Sequence, residues 1–306
     1  MGQIFLEHRK AEVTPADGPV APLPGSGYRF GVLAILFAAL AYSTAGVFTK
    51  GVAAGAWEVI FWRGLFAAGV TTLWLARGRG LRTAFVRMGA GGWAVAVIGA
   101  AGTAAFIPAF KLTSIAHVSL IYATSPLIAA LMAWLALRER VTARTMAGCG
   151  GALLGVAIIV SSSLSAGGLV GDLLALMMTV AMAAIMVIYR ARPQTPVAGP
   201  AIMQSLLLLP VALCLGSPLA VGGRDIVLLA LFGVLFALAS VALAAGAKRV
   251  PAGQAALLGA LETPLAPLLA FLLLAELPGP VSALGGLVVF VAVLGSIENE
   301  DRSRAQ

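Results

Sequence analysis

The chain has 306 residues, 60% of them apolar and 10% charged, with a mean hydropathy of +1.01. Soluble globular chains do not reach these values, so a bilayer is the implied solvent and no separate soluble enzyme domain is expected. A net charge of +8 would suggest nucleic acid in a soluble protein, but Lys and Arg fall here in short connections between apolar runs, a topological pattern that leaves no nucleic-acid partner.

Residues 1–28 are polar, carry Pro15, Pro19, Pro22 and Pro24, and lack apolar periodicity, so a disordered cytoplasmic tail is expected there. The first apolar run starts at Phe30, is long enough to span, and has no small-residue cleavage site after it, unlike a signal peptide. At about 20 apolar residues per span, helices are predicted at 30–49, 57–76, 92–110, 115–137 and 146–165, then at 170–189, 199–216, 226–247, 252–275 and 281–297. A short tail, 298–306, follows. With the N-terminus inside, sixteen Lys and Arg residues fall in cytoplasmic segments; only Lys50, Lys111 and Arg224 fall in outer loops, and Arg63 lies within a span. That asymmetry predicts ten crossings of the cytoplasmic membrane with both termini cytoplasmic.

The two halves repeat. Thr124-Ser125-Pro126-Leu127 matches Glu262-Thr263-Pro264-Leu265 at an offset of 138, which also pairs Lys111 with Arg249. Lys50 meets Arg190, and after small gaps Glu139 meets Glu276 and Gly150-Gly151 meets Gly285-Gly286. Five spans per unit is an odd number, so the second unit must cross in the opposite sense. The expected fold is therefore an all-α membrane protein of ten transmembrane helices in two inverted five-helix repeats, 29–168 and 169–297. Pro126 and Pro264 are expected to mark one helix distortion in each.

Three stretches carry a family likeness: VIFWRGLFAA in the second span, AHVSLIYATSPLIAALMAWLALRER in the fourth and LLGALETPLAPLLAFLLLAEL in the ninth. With these the chain resembles the drug/metabolite transporter superfamily, in its ten-span branch with two EamA-type repeats, over about residues 30–297. The family's glutamate–proline element stands here as Glu262-Thr263-Pro264, while the first repeat has Thr124-Ser125-Pro126 and no carboxylate. The resemblance implies a carrier that exports amino acids, metabolites or drugs; other members move nucleotide sugars.

Within the spans, Glu262 sits about ten residues from the cytoplasmic start of its helix, roughly 15 Å deep. A carboxylate near the midplane is either a substrate or proton-coupling site, or a structural residue that bonds backbone freed by Pro264 and Pro267. Arg63 can pair with Glu262, meet an anionic substrate group or snorkel to the headgroups. Trp62, Tyr42, Phe106 and Tyr122 are candidates for the apolar wall of a cavity, with packing or lipid contact as the alternative. The expected substrate-binding set is thus Arg63, Trp62, Tyr42, Tyr122, Phe106 and Glu262, with Glu262 also coupling protons. Glu58 reads as a rim charge, and Trp57, Trp74, Trp93 and Trp134 as an interfacial belt. His117 reads as a satisfied interface residue or a proton relay.

His8 and His117 are the only histidines, so neither a metal nor a cofactor is expected. Cys149 and Cys214 fall near opposite faces, which argues against a disulfide. Ala147, Gly151 and Gly155, echoed by Ser282 and Gly286, suit close helix packing, with a homodimer left open. A membrane-embedded hydrolase would have only His117 as its base and no G-x-S-x-G element. No P-loop motif occurs, so coupling falls to gradients, and the repeats favour a carrier over a channel.

Overall fold

The computed structural model describes residues 26–297 except 79, 139–142, 167, 193, 248, 251–257 and 260. Residues 1–25 and 298–306 of the expected tails, and Glu139, lie outside the described residues. All secondary structure among the described residues is helical. The first helix is broken into α1 (Ser26–Ser43) and α2 (Ala45–Gly51), so it starts ahead of Phe30 and takes in the last residues assigned to the tail. Then come α3 (Ala56–Arg77), a short α4 (Leu81–Val86), and α5 (Gly89–Leu112). The expected fourth span is two helices, α6 (Ile115–Tyr122) and α7 (Ser125–Leu137), followed by α8 (Ala143–Ala166). The second half holds α9 (Leu169–Ala191), α10 (Ala198–Leu215), α11 (Gly223–Ala247), α12 (Glu262–Leu274) and α13 (Pro280–Ile297).

Among the described residues, seven helices are long and apolar enough to cross a membrane: Gly27–Gly51, Ala56–Arg77, Gly89–Leu112, Ile115–Leu137, Leu169–Ala191, Ala198–Leu215 and Gly223–Ala247. The shorter apolar helices Met146–Ser161, Glu262–Leu274 and Pro280–Ala292 accompany them. Their surfaces are what a bilayer requires. Large side chains such as Leu33, Leu73, Trp74, Trp93, Trp134, Leu135 and Leu272 are exposed, whereas Ala38, Ala96, Ala105, Ala109, Ala175 and Ala239 are buried together with Thr49 and Thr179. Small residues inside let backbones approach where no hydrophobic effect drives helices together.

The expected repeats have local counterparts. Thr124 breaks the fourth span just before α7, whose first turn holds Pro126, and α12 starts at Glu262 with Pro264 in its first turn. A proline there loses no ladder bond, because the first-turn N–H groups have no helical acceptor. Both helices have 13 residues and stop at a left-handed residue, Arg138 (φ 54) and Ala275 (φ 54). The most extensively packed pairs are α8–α13, α5–α9, α3–α10, α1–α11, α3–α11, α5–α10, α6 and α7 with α9, α6–α12 and α1–α12. Exchanging α1 for α9, α3 for α10, α5 for α11, α6 and α7 for α12, and α8 for α13 returns the same set.

The small-residue stripe is used within the chain. A Cβ on Gly155 would meet the Gly285 carbonyl at 2.8 Å, and one on Gly285 would meet the Gly155 carbonyl at 2.8 Å. The α8–α13 contact is therefore backbone against backbone.

Candidate functional site

Between the two sets of helices lies a cavity of about 300 Å³. One side comes from Ala38, Ala39 and Tyr42 on α1, Arg63 on α3, Gly102, Thr103 and Phe106 on α5, and Tyr122 on α6. Met178 and Met182 on α9, Gln204 on α10, Phe236 and Leu243 on α11, with Gly259 and Glu262, supply the other. Five of the six expected binding residues, Arg63, Tyr42, Tyr122, Phe106 and Glu262, thus line one space. Trp62 is not among the lining residues: its indole N–H donates to the Pro218 carbonyl at 2.8 Å and its ring lies against Phe61 and Phe66.

Arg63 is 4% exposed, so it does not snorkel. Its position follows from a close crossing, since a Cβ at Gly233 would lie 2.6 Å from the Arg63 carbonyl. That approach brings the α11 rings to the guanidinium, 4.7 Å from the Phe236 centroid and 5.3 Å from that of Phe232. Phe48 in turn stacks on Phe232. Arg63 Nε is buried with no hydrogen-bond partner, and among the described residues no carboxylate pairs with the guanidinium. Of the alternatives open to Arg63, the pair with Glu262 is therefore not formed. Aromatic faces hold the cation in place without saturating its planar fork of donors.

Glu262 opens α12, where the unsatisfied N–H groups of a helix start favour an anion. No hydrogen bond from a described residue reaches its carboxylate, so the structural role considered for it, bonding freed backbone, has no counterpart among those residues. Across the cavity the Tyr42 hydroxyl bonds Ser240 Oγ at 2.8 Å, and its ring stands edge-on to Phe236. Phe106 packs edge-on against Phe110. Gln204 Nε2 donates to Thr103 Oγ1 at 2.9 Å. Gln204, Thr103, Phe236 and the two methionines were not expected in the site. Uncharged residues in apolar runs give no signal beyond packing.

From Tyr42, Phe106, Tyr122 and Glu262 the cavity narrows, past Gly46, Phe110, Val118 and Ser119, into a space of about 20 Å³. Beyond it, one end of the bundle is stitched shut. Lys50 Nζ meets Glu276 Oε2 at 2.7 Å, and Glu276 Oε1 accepts from the Ile115 N–H at the start of α6. Asp225 accepts from the Ala53 and Ala54 N–H groups, Lys111 donates to the Val52 carbonyl, and Glu58 accepts from the Ser217 N–H. Glu58 is thus a loop anchor.

The sequence profile of the EamA-like transporter family matches residues 29–161 and again 169–297. No curated protein matches the chain. A solved structure described only as a crystal structure of a protein aligns with a TM-score of 0.62 at 21% identity, covering 88% of this chain and 97% of the other, a likeness of fold alone.

Proposed function

Because the chain belongs to the EamA-like transporter family, whose members are membrane transporters of small molecules and not enzymes, we propose that it exports small amphiphilic metabolites, amino acids foremost, by alternating access. The reading has ten helices crossing the cytoplasmic membrane as two inverted five-helix repeats, with both termini cytoplasmic and the Lys50 end outside. The internal exchange of packing partners and the paired α7 and α12 breaks support it.

One observation carries the substrate class: a cavity between the halves that presents an unpartnered buried guanidinium and a carboxylate beside an aromatic wall. A zwitterion with an apolar side chain matches all three. Its carboxylate takes the open fork of Arg63, its ammonium takes Glu262, and its side chain takes Tyr42, Phe106, Tyr122 and Phe236. In the empty carrier Glu262 holds a proton instead, and exchange of that proton for substrate couples export to the gradient. The narrow space beside Glu262 has room for about one water, a path for the proton from the outer end. With the Lys50 end stitched shut, the reading takes this conformation as the inward-facing one.

The test is flux in reconstituted vesicles across a panel of amino acids and metabolites, with and without a proton gradient. Saturable, gradient-stimulated flux of apolar zwitterions is expected, with amides and decarboxylated amines moving poorly. Equal flux of those analogues would overturn the substrate reading.

A further inference from the structure

Away from the cavity, a second set of titratable side chains is buried where three helices begin. His117 on α6 places Nδ1 3.0 Å and 3.1 Å from the two carboxylate oxygens of Asp172 on α9, and Nε2 against Ser282 Oγ on α13. Thr113, just after α5, donates to Asp172 Oδ1 at 2.7 Å. Asp172 is 0% exposed and Ser282 2%. The order hydroxyl–imidazole–carboxylate is that of a hydrolase triad, yet none of the described cavities includes Ser282. Buried in this way, the group offers a proton site and not a nucleophile facing a cavity.

We propose that His117 and Asp172 form a proton-binding site that controls the outer gate, separate from Glu262; the role as a gate rests on the transporter reading above. The geometry admits two protonation states without loss of a hydrogen bond. With neutral His117, Nδ1–H donates to Asp172 and the Ser282 O–H donates to Nε2. When a proton from outer water adds to Nε2, the serine hydroxyl rotates and its oxygen accepts instead. What changes is charge: the buried group carries −1 in the first state and 0 in the second. A buried carboxylate beside a neutral imidazole is less well compensated than one beside an imidazolium.

Position turns this into a gate. All four residues lie in or next to the terminal turns at the Lys50 end, a few ångströms from water. Residues Thr113 and His117 belong to the first half, and Asp172 and Ser282 to the second. Opening that end must pull α6 from α9 and α13, and so breaks this cluster. The other titratable groups on the packed elements are Lys111 on α5, Tyr122 at the far end of α6, Glu276 with its partner Lys50 at the start of α6, Glu262 on α12, Tyr189 and Arg190 far along α9, and Arg144 and Cys149 towards the opposite end of α8. The sequence of α13 carries no charge. Asp172 is therefore the carboxylate that answers to the His117 proton, and the proton holds the outer end closed.

Spin labels at Leu112→Cys and Val281→Cys, both exposed at this end and one in each half, report the gate with the native cysteines replaced by alanine. In vesicles without substrate, the ratio of long to short distances is expected to rise roughly tenfold from acid to alkaline pH. In His117→Gln and Asp172→Asn the ratio should not respond to pH, while Ser282→Ala, which keeps the pair, should still respond. Nitrogen NMR of the His8→Gln protein leaves one histidine to follow, and its ring should change protonation together with the gate movement. A pH response that survives in His117→Gln, or a ring that does not titrate, overturns the proposal. Neither readout needs transport: flux with no pH-driven gate movement sinks this inference alone, and gate movement without flux of any solute sinks the transport reading alone.

Discussion

Replacing Arg63 by methionine should make the empty protein more stable and the working protein useless. Arg63 is buried, its Nε–H is unsatisfied, and no carboxylate among the described residues offsets its charge. The unmet donor costs about 1–3 kcal/mol and the unpaired, desolvated charge several more, less whatever water in the cavity recovers. Against this stand two ring contacts, at 4.7 Å and 5.3 Å, worth together about 2 kcal/mol. Methionine keeps the reach and packs its sulfur against the same rings of Phe232 and Phe236. The net expectation is a gain of about 1–3 kcal/mol for Arg63→Met, read as a rise of roughly 2–8 °C in the unfolding midpoint in detergent. Binding of a zwitterion should fall roughly 10–150-fold, the loss of about 1.5–3 kcal/mol of charged hydrogen bonding. Substrate at saturating concentration should raise the midpoint of the parent more than that of the variant. A variant that melts below the parent would mean Arg63 is a structural cation, and the substrate assignment would fall with it.

Other expectations follow from the same geometry. Glu262→Gln should weaken substrate binding without abolishing it and lose pH-driven exchange, since an amide fills the space but neither pairs with the ammonium as an anion nor carries the proton; unchanged pH dependence of flux would remove Glu262 from coupling. Gly285→Val forces a side chain into the Gly155 carbonyl across the α8–α13 contact, and the midpoint should drop by an amount equivalent to about 1–3 kcal/mol or more. Lys50→Glu should loosen the outer end by setting two carboxylates side by side, and the double reversal Lys50→Glu with Glu276→Lys should recover part of the parent's spin-label distances, short of the Ile115 N–H contact that a lysine cannot accept. Failure of the double variant to recover would show that the pair does not hold the gate.

The sequence exposed the parts of this molecule that break the rules of an apolar environment. Arg63 and Glu262 stand out as charges inside apolar runs, and Tyr42, Phe106 and Tyr122 as aromatics far from the span ends, and all five line one cavity. Trp62 met the same criterion and went elsewhere because its N–H found the Pro218 carbonyl, a contact across 156 residues that no local pattern records. Asp172 drew no attention: a carboxylate near a span end has the appearance of a rim charge. Its partners stand 55 and 59 residues away, and Ser282 meets His117 across 165 residues, so only the packing of α9 and α13 on α6 discloses the cluster. The α1–α2 break at Thr44 was also silent, since neither Gly nor Pro marks it. The α6–α7 break was announced by Pro126.

The central claim is that one buried site is offered alternately to the two faces, and trans-stimulation in vesicles tests it most directly. Vesicles are loaded with an unlabelled apolar amino acid and the initial uptake of the labelled one is measured against empty vesicles. Alternating access predicts faster uptake into loaded vesicles, because the carrier returns occupied, and no such acceleration in Arg63→Met. Uptake indifferent to the internal amino acid while rising without saturation would mark an open pore, and the carrier reading would be wrong.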